Sequence, residues 1–372
     1  MRSGISIASN WRYFDFWLLG AVFLLIIFGV TMISSAIAGN IELVELNLVQ
    51  RQLIFALAGT VLMLIVAAID YRLWASISRP MYVITILLLA TLYIVGSALY
   101  GSARWFDTGV ILIQPSEIAK IVLIMILADF FTRNMERMGN LVWIGRSFLT
   151  TMGITIWILL QPNLSTAIVM LVLWFTMLWA SGLRLQHLLM FVIGAITLPL
   201  VAFPFLVDYQ QRRVLNFLFP DPNASYGEIY NIQQALIAIG SGGLLGQGYG
   251  HGTQVQLRFL KVRWSDFIFS AMAQEFGFVG IVLVMGVIVF VILRCLRAAR
   301  LASDSFGALL AVGVATMIAF QTIVNIGVNL NLMPATGLTL PFVSYGGSSL
   351  LSILIGIGLV QSVVLRHRQL EF

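Results

Sequence analysis

Gly240–Gln274 reads GSGGLLGQGYGHGTQVQLRFLKVRWSDFIFSAMAQ, and the placing of this stretch decides how the rest of the chain is folded. A glycine-rich loop runs into a basic, aromatic patch of Arg258, Lys261, Arg263 and Trp264, and one carboxylate, Asp266, stands where a long apolar helix begins. Acids are scarce, 15 in 372 residues. An ionisable group at a bilayer boundary is costly and is by default a functional candidate.

Hydrophobic residues make up 60% of the chain and charged ones 10%, with a mean hydropathy of +0.99, so lipid is its solvent. No hydrophilic stretch is long enough for a separate globular domain, and residues 1–372 read as one integral membrane domain. The polar start lacks a cleavage-site pattern after the first apolar run, so that run is expected to be retained. The net charge of +6 does not indicate nucleic acid, because the basic residues are dispersed over short loops and form no single face. The lone Cys295 rules out an intrachain disulfide and a cysteine-based metal site.

Ten apolar runs approach the roughly 20 residues a crossing needs: 16–38, 52–70, 81–99, 115–132, 147–161, 165–181, 186–206, 266–294, 305–328 and 348–365. Backbone hydrogen bonding in lipid makes each of them a helix, so the fold class is an all-α polytopic membrane protein. With the N-terminus inside, the C-terminus is cytoplasmic too. Cytoplasmic segments then hold Arg2, Arg12, Arg72, Arg79, Arg133, Arg137, Arg146, Arg184, Arg294, Arg297, Arg300, Arg366 and Arg368, the bias that short inner loops carry. The other basic residues, Arg51, Arg104, Lys120, Arg212, Arg213, Arg258, Lys261 and Arg263, fall at the outer face, where a large anionic ligand would give them a purpose. A large outer loop, 207–265, separates the seventh and eighth runs; its segment IQQALIAIG is too short to cross and reads as a helix that lies at the surface or re-enters.

Several constellations carry two readings. Pro115 opens the fourth run, and Glu117 and Lys120 share a helix face three residues apart, either as an orienting ion pair or as a grip on an anion or metal. Arg104 beside Trp105 is an interfacial anchor or a phosphate grip. Asn163 and Ser165 in Gln161–Thr166 read best as a helix start. Arg212 and Arg213 are headgroup anchors or substrate contacts. His251, without a second histidine nearby, reads as hydrogen-bonded to a neighbour. Asp266 caps the following helix, with Ser265 as a competitor for that task, or serves as a base whose pKa burial raises and the nearby cations lower.

Six blocks stand in order along the chain: GSARWFDTG, ILIQPSEIAK, LLQPNLSTA, IQQALIAIGSGGLLGQGYGHGTQ, WSDFIFSAMAQEFG and NLMPATGLTLPFVSYGGSS. By these it resembles the SEDS family, the RodA/FtsW group of bacterial cell-wall polymerases, with a length and short termini more like the elongation member. The resemblance implies ten helices and polymerisation of lipid II into glycan strands at the outer face of the bacterial plasma membrane. It implies that Asp266 is the essential carboxylate, that Glu117 and Lys120 line a central cavity, that Arg104 belongs to the first outer loop and, more loosely, that Arg51 contributes. It implies a class B penicillin-binding protein as partner, with MreC and MreD as companions. The chain departs where QPNLSTA stands for the usual QPDLGTA, so Asn163 and Ser165 carry no negative charge.

The expected chemistry has Asp266 take the proton of an acceptor sugar hydroxyl, which attacks the donor's anomeric carbon with inversion and displaces lipid pyrophosphate. Lys120, Arg104 and Arg212 or Arg213 would offset the charge that develops, and a divalent cation, Mg2+ or Mn2+, could share that work, with no ligand set identifiable. The rival readings are a flippase of the same lipid, a division-type polymerase and a scaffold that needs no Asp266.

Overall fold

The computed structural model describes residues 11–38, 46–100, 105–107, 112–137, 139–221 and 227–367. Twelve helices follow in order: α1 Phe16–Ile37, α2 Leu48–Ala68, α3 Tyr71–Tyr100, α4 Pro115–Asn134, α5 Leu141–Leu160, α6 Leu164–Ala180, α7 Leu185–Ala202, α8 Asp208–Leu218, α9 Gly227–Gly242, α10 Ile268–Leu301, α11 Ser305–Asn329 and α12 Gly347–Leu365. Short 3-10 turns, one helical turn at Thr253–Gln256 and a two-residue ladder (Phe106–Asp107 with Leu112–Ile113) complete the regular structure among the described residues.

All ten expected runs are helices. Eight, α1, α2, α3, α5, α7, α10, α11 and α12, are long and apolar enough to cross a membrane. The other two fall short of that measure for visible reasons: α6 has 17 residues, and α4 carries Glu117, Lys120 and Asp129 within its apolar run. The third helix begins ten residues earlier than hydropathy alone places it, because the polar turns from Tyr71 continue through Pro80.

The bundle is organised around α4, buried on nearly every face and packed against α3, α5, α6, α11 and α12. A helix without a polar face belongs inside, which frees its few polar residues for internal work. The most extensive helix pair is α2 with α12. Its closeness depends on Gly358, where a Cβ would run into the backbone of Met63. α7 is peripheral: its apolar window is wholly unburied, and Phe191 wedges it against Trp174 and Phe175.

Polar links tie the two ends of the bundle in different ways. At one end they are charged: Asp15 with Arg294 at 2.5 Å, Arg72 with Asp304 at 3.0 Å, and Arg366 with Asp70 at 3.6 Å. Arg366 also donates to the carbonyls of Ala67 and Ala68 at the C-terminus of α2, the groups a helix end leaves unpaired. These arginines are among those assigned to the cytoplasmic side. At the other end the links are mostly amides and hydroxyls: Gln52 with the backbone of Ser344 and Gly346, Ser165 with Thr336, and the Asn325–Asn329 pair with the Asp266 backbone.

α10 is kinked and broken at Gly277, whose φ of 66° and ψ of −167° are open essentially to glycine alone. The groups the break frees are paired by the loop after α9. Gln247 and Gly248 donate their N–H groups to the carbonyls of Gln274 and Glu275 at 2.9 and 3.0 Å. Phe278 and Val279 donate to Gly243 and Leu244 at 2.9 and 3.1 Å. Irregular backbone in a membrane protein survives where protein satisfies it in this way. α9 packs Ala235, Ala238 and Gly242 inward, and Gly242 lies against the backbone of Ala273. Its end thus reaches Gly277, nine residues or roughly 13 Å along α10. Of the two placements open for IQQALIAIG, this packing along α10 supports the re-entering one.

Gly277→Ala is expected to lower stability by about 1–3 kcal/mol, because strain at that φ adds to collision with Leu244 and Gly246. Gly286→Ala in the same helix faces open space and is expected to be neutral or stabilising by up to about 1 kcal/mol. Thermal unfolding of the purified protein in detergent, followed by tryptophan fluorescence, separates the two.

Candidate functional site

Asp266 lies in the irregular turn between the re-entrant segment and α10, held by its backbone. Its carbonyl accepts from Asn325 Nδ2 at 3.1 Å and Asn329 Nδ2 at 3.0 Å, two amides one helical turn apart on α11. Asn329 Oδ1 in turn accepts from the N–H and hydroxyl of Ser270 in the first turn of α10. The loop between α11 and α12 grips the preceding residues: Tyr345 N–H donates to Trp264 at 2.9 Å and the Ser344 hydroxyl to Ser265 at 2.8 Å.

The carboxyl is left out of these ties. The N-cap of α10 is Phe267, without a side-chain cap bond, so Asp266 does not cap the helix; the hydroxyl of Ser265, the other capping candidate, donates instead to Asp266 Oδ1 at 2.7 Å. The other oxygen faces Gly337. Burial pushes the carboxyl above its ordinary range, opposed by the Ser265 hydroxyl and by the charge of Arg213. A largely desolvated, singly hydrogen-bonded carboxylate beside a cation is suited to accept a proton.

The expected cations divide. Arg213 acts on Asp266 from α8, where it pairs with Glu228 at 2.7 Å and lies over the Tyr209 ring; it also lines a cavity of about 220 Å³ with Glu228, Asn331 and Ala335. Tyr209 fixes α8 by donating to the Pro162 carbonyl. Arg212, next in sequence, is exposed. Arg51 is exposed and hydrogen-bonds the phenol of Tyr345, the residue whose N–H holds Trp264, so it stands one residue removed from the Asp266 turn. Arg104 lies outside the described residues.

Lys120 is fully buried and 2.8 Å from Glu117 Oε2, which also accepts from Ser352 at 3.3 Å. The close pair is poorly aligned for hydrogen bonding, so the ammonium donors stay unmatched. Ser352 caps back to Ser349, whose hydroxyl meets Thr339 at 2.9 Å. The loop 331–346 is therefore a common wall, touching the ion pair's hydroxyl chain on one side and the Asp266 turn on the other.

One sequence expectation is corrected. Arg263 is not free for an anionic ligand: it is buried and donates to the Ala36 carbonyl near the end of α1 and to Leu260. Further along α10, Gln274 donates to Ser241 and Thr253, and Glu275 accepts from Ser35, beside the re-entrant loop. Asn325 and Asn329 were missed; two amides four apart in the otherwise apolar run QTIVNIGVNLN are the signal that marks them. As expected, Asn163 caps α6, accepting from Thr166 N–H at 3.3 Å, and His251 Nδ1 lies 2.9 Å from the Tyr249 carbonyl. A neutral amide fills the cap, so the missing negative charge at Asn163 costs that turn nothing structural. Among the described residues no three His, Cys, Asp or Glu side chains gather as a metal cage.

With this geometry the chain can be set beside known proteins. The sequence model described as "Cell cycle protein", the FtsW/RodA/SpoVE family, matches residues 16–369. The chain is 34% identical to peptidoglycan glycosyltransferase MrdB of Escherichia coli K12, over 94% of each chain. It is 36% identical to stage V sporulation protein E of Bacillus subtilis, over 84% of this chain and 86% of that one. In structure it is similar to RodA of Thermus thermophilus, with a TM-score of 0.71 at 31% identity over 97% and 99% of the two chains. It is also similar to a chain from a peptidoglycan synthase complex that coordinates polymerization and crosslinking, with a TM-score of 0.80 at 31% identity over 96% and 99%.

Asn325→Ala and Asn329→Ala each remove a donor to the buried Asp266 carbonyl and are expected to cost about 1–3 kcal/mol. Because they share one acceptor, the double variant should lose less than the sum by at least about 0.5 kcal/mol. Strict additivity in a thermal-unfolding cycle would show that the two amides do not act as one clamp.

Proposed function

The chain belongs to the FtsW/RodA/SpoVE family and is a peptidoglycan glycosyltransferase set in the membrane by many helices, and from that premise we propose that Asp266 is its general base. The single observation that carries the assignment is the state of its carboxyl: desolvated, free of capping duty, and within reach of Arg213. Asp266 takes the proton from the acceptor sugar hydroxyl, that oxygen forms the new bond to the donor's anomeric carbon, and the bond to lipid pyrophosphate breaks with inversion. Arg213, on the wall of the 220 Å³ cavity, offsets charge on the departing diphosphate, with Arg51, tied to Tyr345, and Lys120, paired with Glu117, proposed as further cations for that task. A bound Mg2+ or Mn2+ would supply further neutralisation of the diphosphate; Asp266 is the carboxylate this turn would offer it, and no cage of acids gathers among the described residues.

We further propose lipid II as donor and acceptor, the bacterial inner membrane as location, and elongation as the role. Supporting this are the 34% identity to MrdB over 94% of each chain and the likeness to a RodA structure. A class B penicillin-binding protein is proposed as the partner that supplies the cross-links, in keeping with the synthase complex it resembles, and MreC and MreD are proposed as companions. Flipping is the less favoured reading: α10 is the one helix interrupted by a non-helical residue among those described, whereas transporter sites are commonly built from matched broken spans.

Asp266→Asn keeps the shape but cannot accept the proton. It is expected to lower glycan synthesis from purified lipid II by at least about 100-fold with thermal unfolding unchanged. The base must be ionised, so activity is lost as pH falls through its raised pKa. Ser265→Ala and Arg213→Gln each remove a group that favours the ionised form, so each should move the acid limb of the pH–rate profile to higher pH. An acid limb that stays in place, or moves to lower pH, would assign the base to another residue.

A further inference from the structure

At the end of the bundle away from Asp266, α3, α4 and α5 part around a cleft of about 280 Å³. Asp129, 5% exposed, sits inside it against Arg133 at 2.7 Å and, more loosely, against Arg79 at 4.0 Å. Two guanidiniums thus face one carboxylate, and their side chains are 54% and 69% exposed. One arginine would suffice to neutralise Asp129; the second, held at 4.0 Å, keeps its forked donors for something else. Close by, Arg137 and Arg146 both stack on Trp143, at 5.0 and 4.6 Å, and Trp143 meets Phe130 of the cleft wall. The nearby acids are Asp129 and the exposed Glu136, so the four arginines leave the region positive.

The remainder of the wall is apolar or already satisfied. Tyr82 donates to the Thr150 carbonyl at 2.7 Å, and Gly153 leaves room for that phenol. Val83, 52% exposed, opens the cleft sideways, beside the buried Ile126. Charged donors are therefore on offer at the arginine rim, beside the amide of Asn134, with hydrocarbon-compatible surface next to them. That combination fits an amphiphile with anionic oxygens at one end. Guanidinium forks suit phosphate, and basic pockets between membrane helices take lipid head groups on the side where anionic lipids gather.

We propose that this cleft binds the phosphate head of an anionic bilayer lipid, gripped by Arg79 and Arg133, with an acyl chain lying over Val83. The site is remote from the catalytic turn and independent of the role given to Asp266. The full-length protein is to be reconstituted in phosphatidylcholine nanodiscs containing a minor share of phosphatidylglycerol, and the lipid retained on release read by native mass spectrometry. The wild type is expected to retain phosphatidylglycerol selectively. Arg79→Gln, at an exposed position, should weaken retention about five-fold, and Arg79→Gln/Asp129→Asn/Arg133→Gln, which leaves no buried charge unpaired, roughly thirty-fold. Arg297→Gln/Arg300→Gln, on α10 at the same end, should not change it. Equal retention by the wild type and the triple variant overturns the proposal. So does a loss in the Arg297/Arg300 control as large as in the triple variant, which would reduce the effect to general surface charge. A thermal stabilisation by inorganic phosphate as large as that by phosphatidylglycerol would equally overturn it, by making the cleft a plain phosphate site.

Discussion

A peptide group released from its helix inside a bilayer has no water to turn to, and the architecture around Gly277 answers that constraint. Four backbone hydrogen bonds join the interrupted α10 to the loop Gly243–Gly248, so the re-entrant segment and the broken helix complete one another. The glycines meet specific geometric demands: Gly277 supplies a conformation closed to other residues, and Gly242 and Gly246 let backbone lie on backbone. From there the chain returns through Arg263, anchored on α1, to the turn that presents Asp266.

The turn is fixed through its main chain, which leaves the reactive group unencumbered. Asn325 and Asn329 hold the Asp266 carbonyl, and Ser344 and Tyr345 hold the two residues before it. A carboxylate oriented by salt bridges would have its pKa driven down and its lone pairs occupied; this one is positioned by peptide contacts and keeps an oxygen facing Gly337. Preorganisation by neutral amides thus secures place without neutralising chemistry.

Much of this was legible from residues. Long apolar runs fix helices in lipid, and all ten appear, although the third starts ten residues before its expected limit. Asp266, Glu117 and Lys120 stand out because charge in such a sequence is rare. What escaped was three-dimensional pairing. Hydropathy cannot see that Gly277 interrupts a run of apolar residues, since a break adds no polarity. A basic residue in an outer loop looks the same whether it meets substrate or, like Arg263, a helix carbonyl. Asn325 and Asn329 were visible as letters, but their common target lies some 60 residues away in sequence.

The bundle is lashed by ions at one end and mainly by neutral dipoles at the other. Bonds between amides and hydroxyls scarcely feel dissolved salt, and the Lys120–Glu117 pair is sealed from it. At the Asp266 end, among the described residues, Arg213–Glu228 is the ion pair partly open to solvent, and Arg213 is also the cation that acts on Asp266. Salinity would therefore be felt at this end through one guanidinium, and at the other through the partly open Arg72–Asp304 and Arg366–Asp70 pairs.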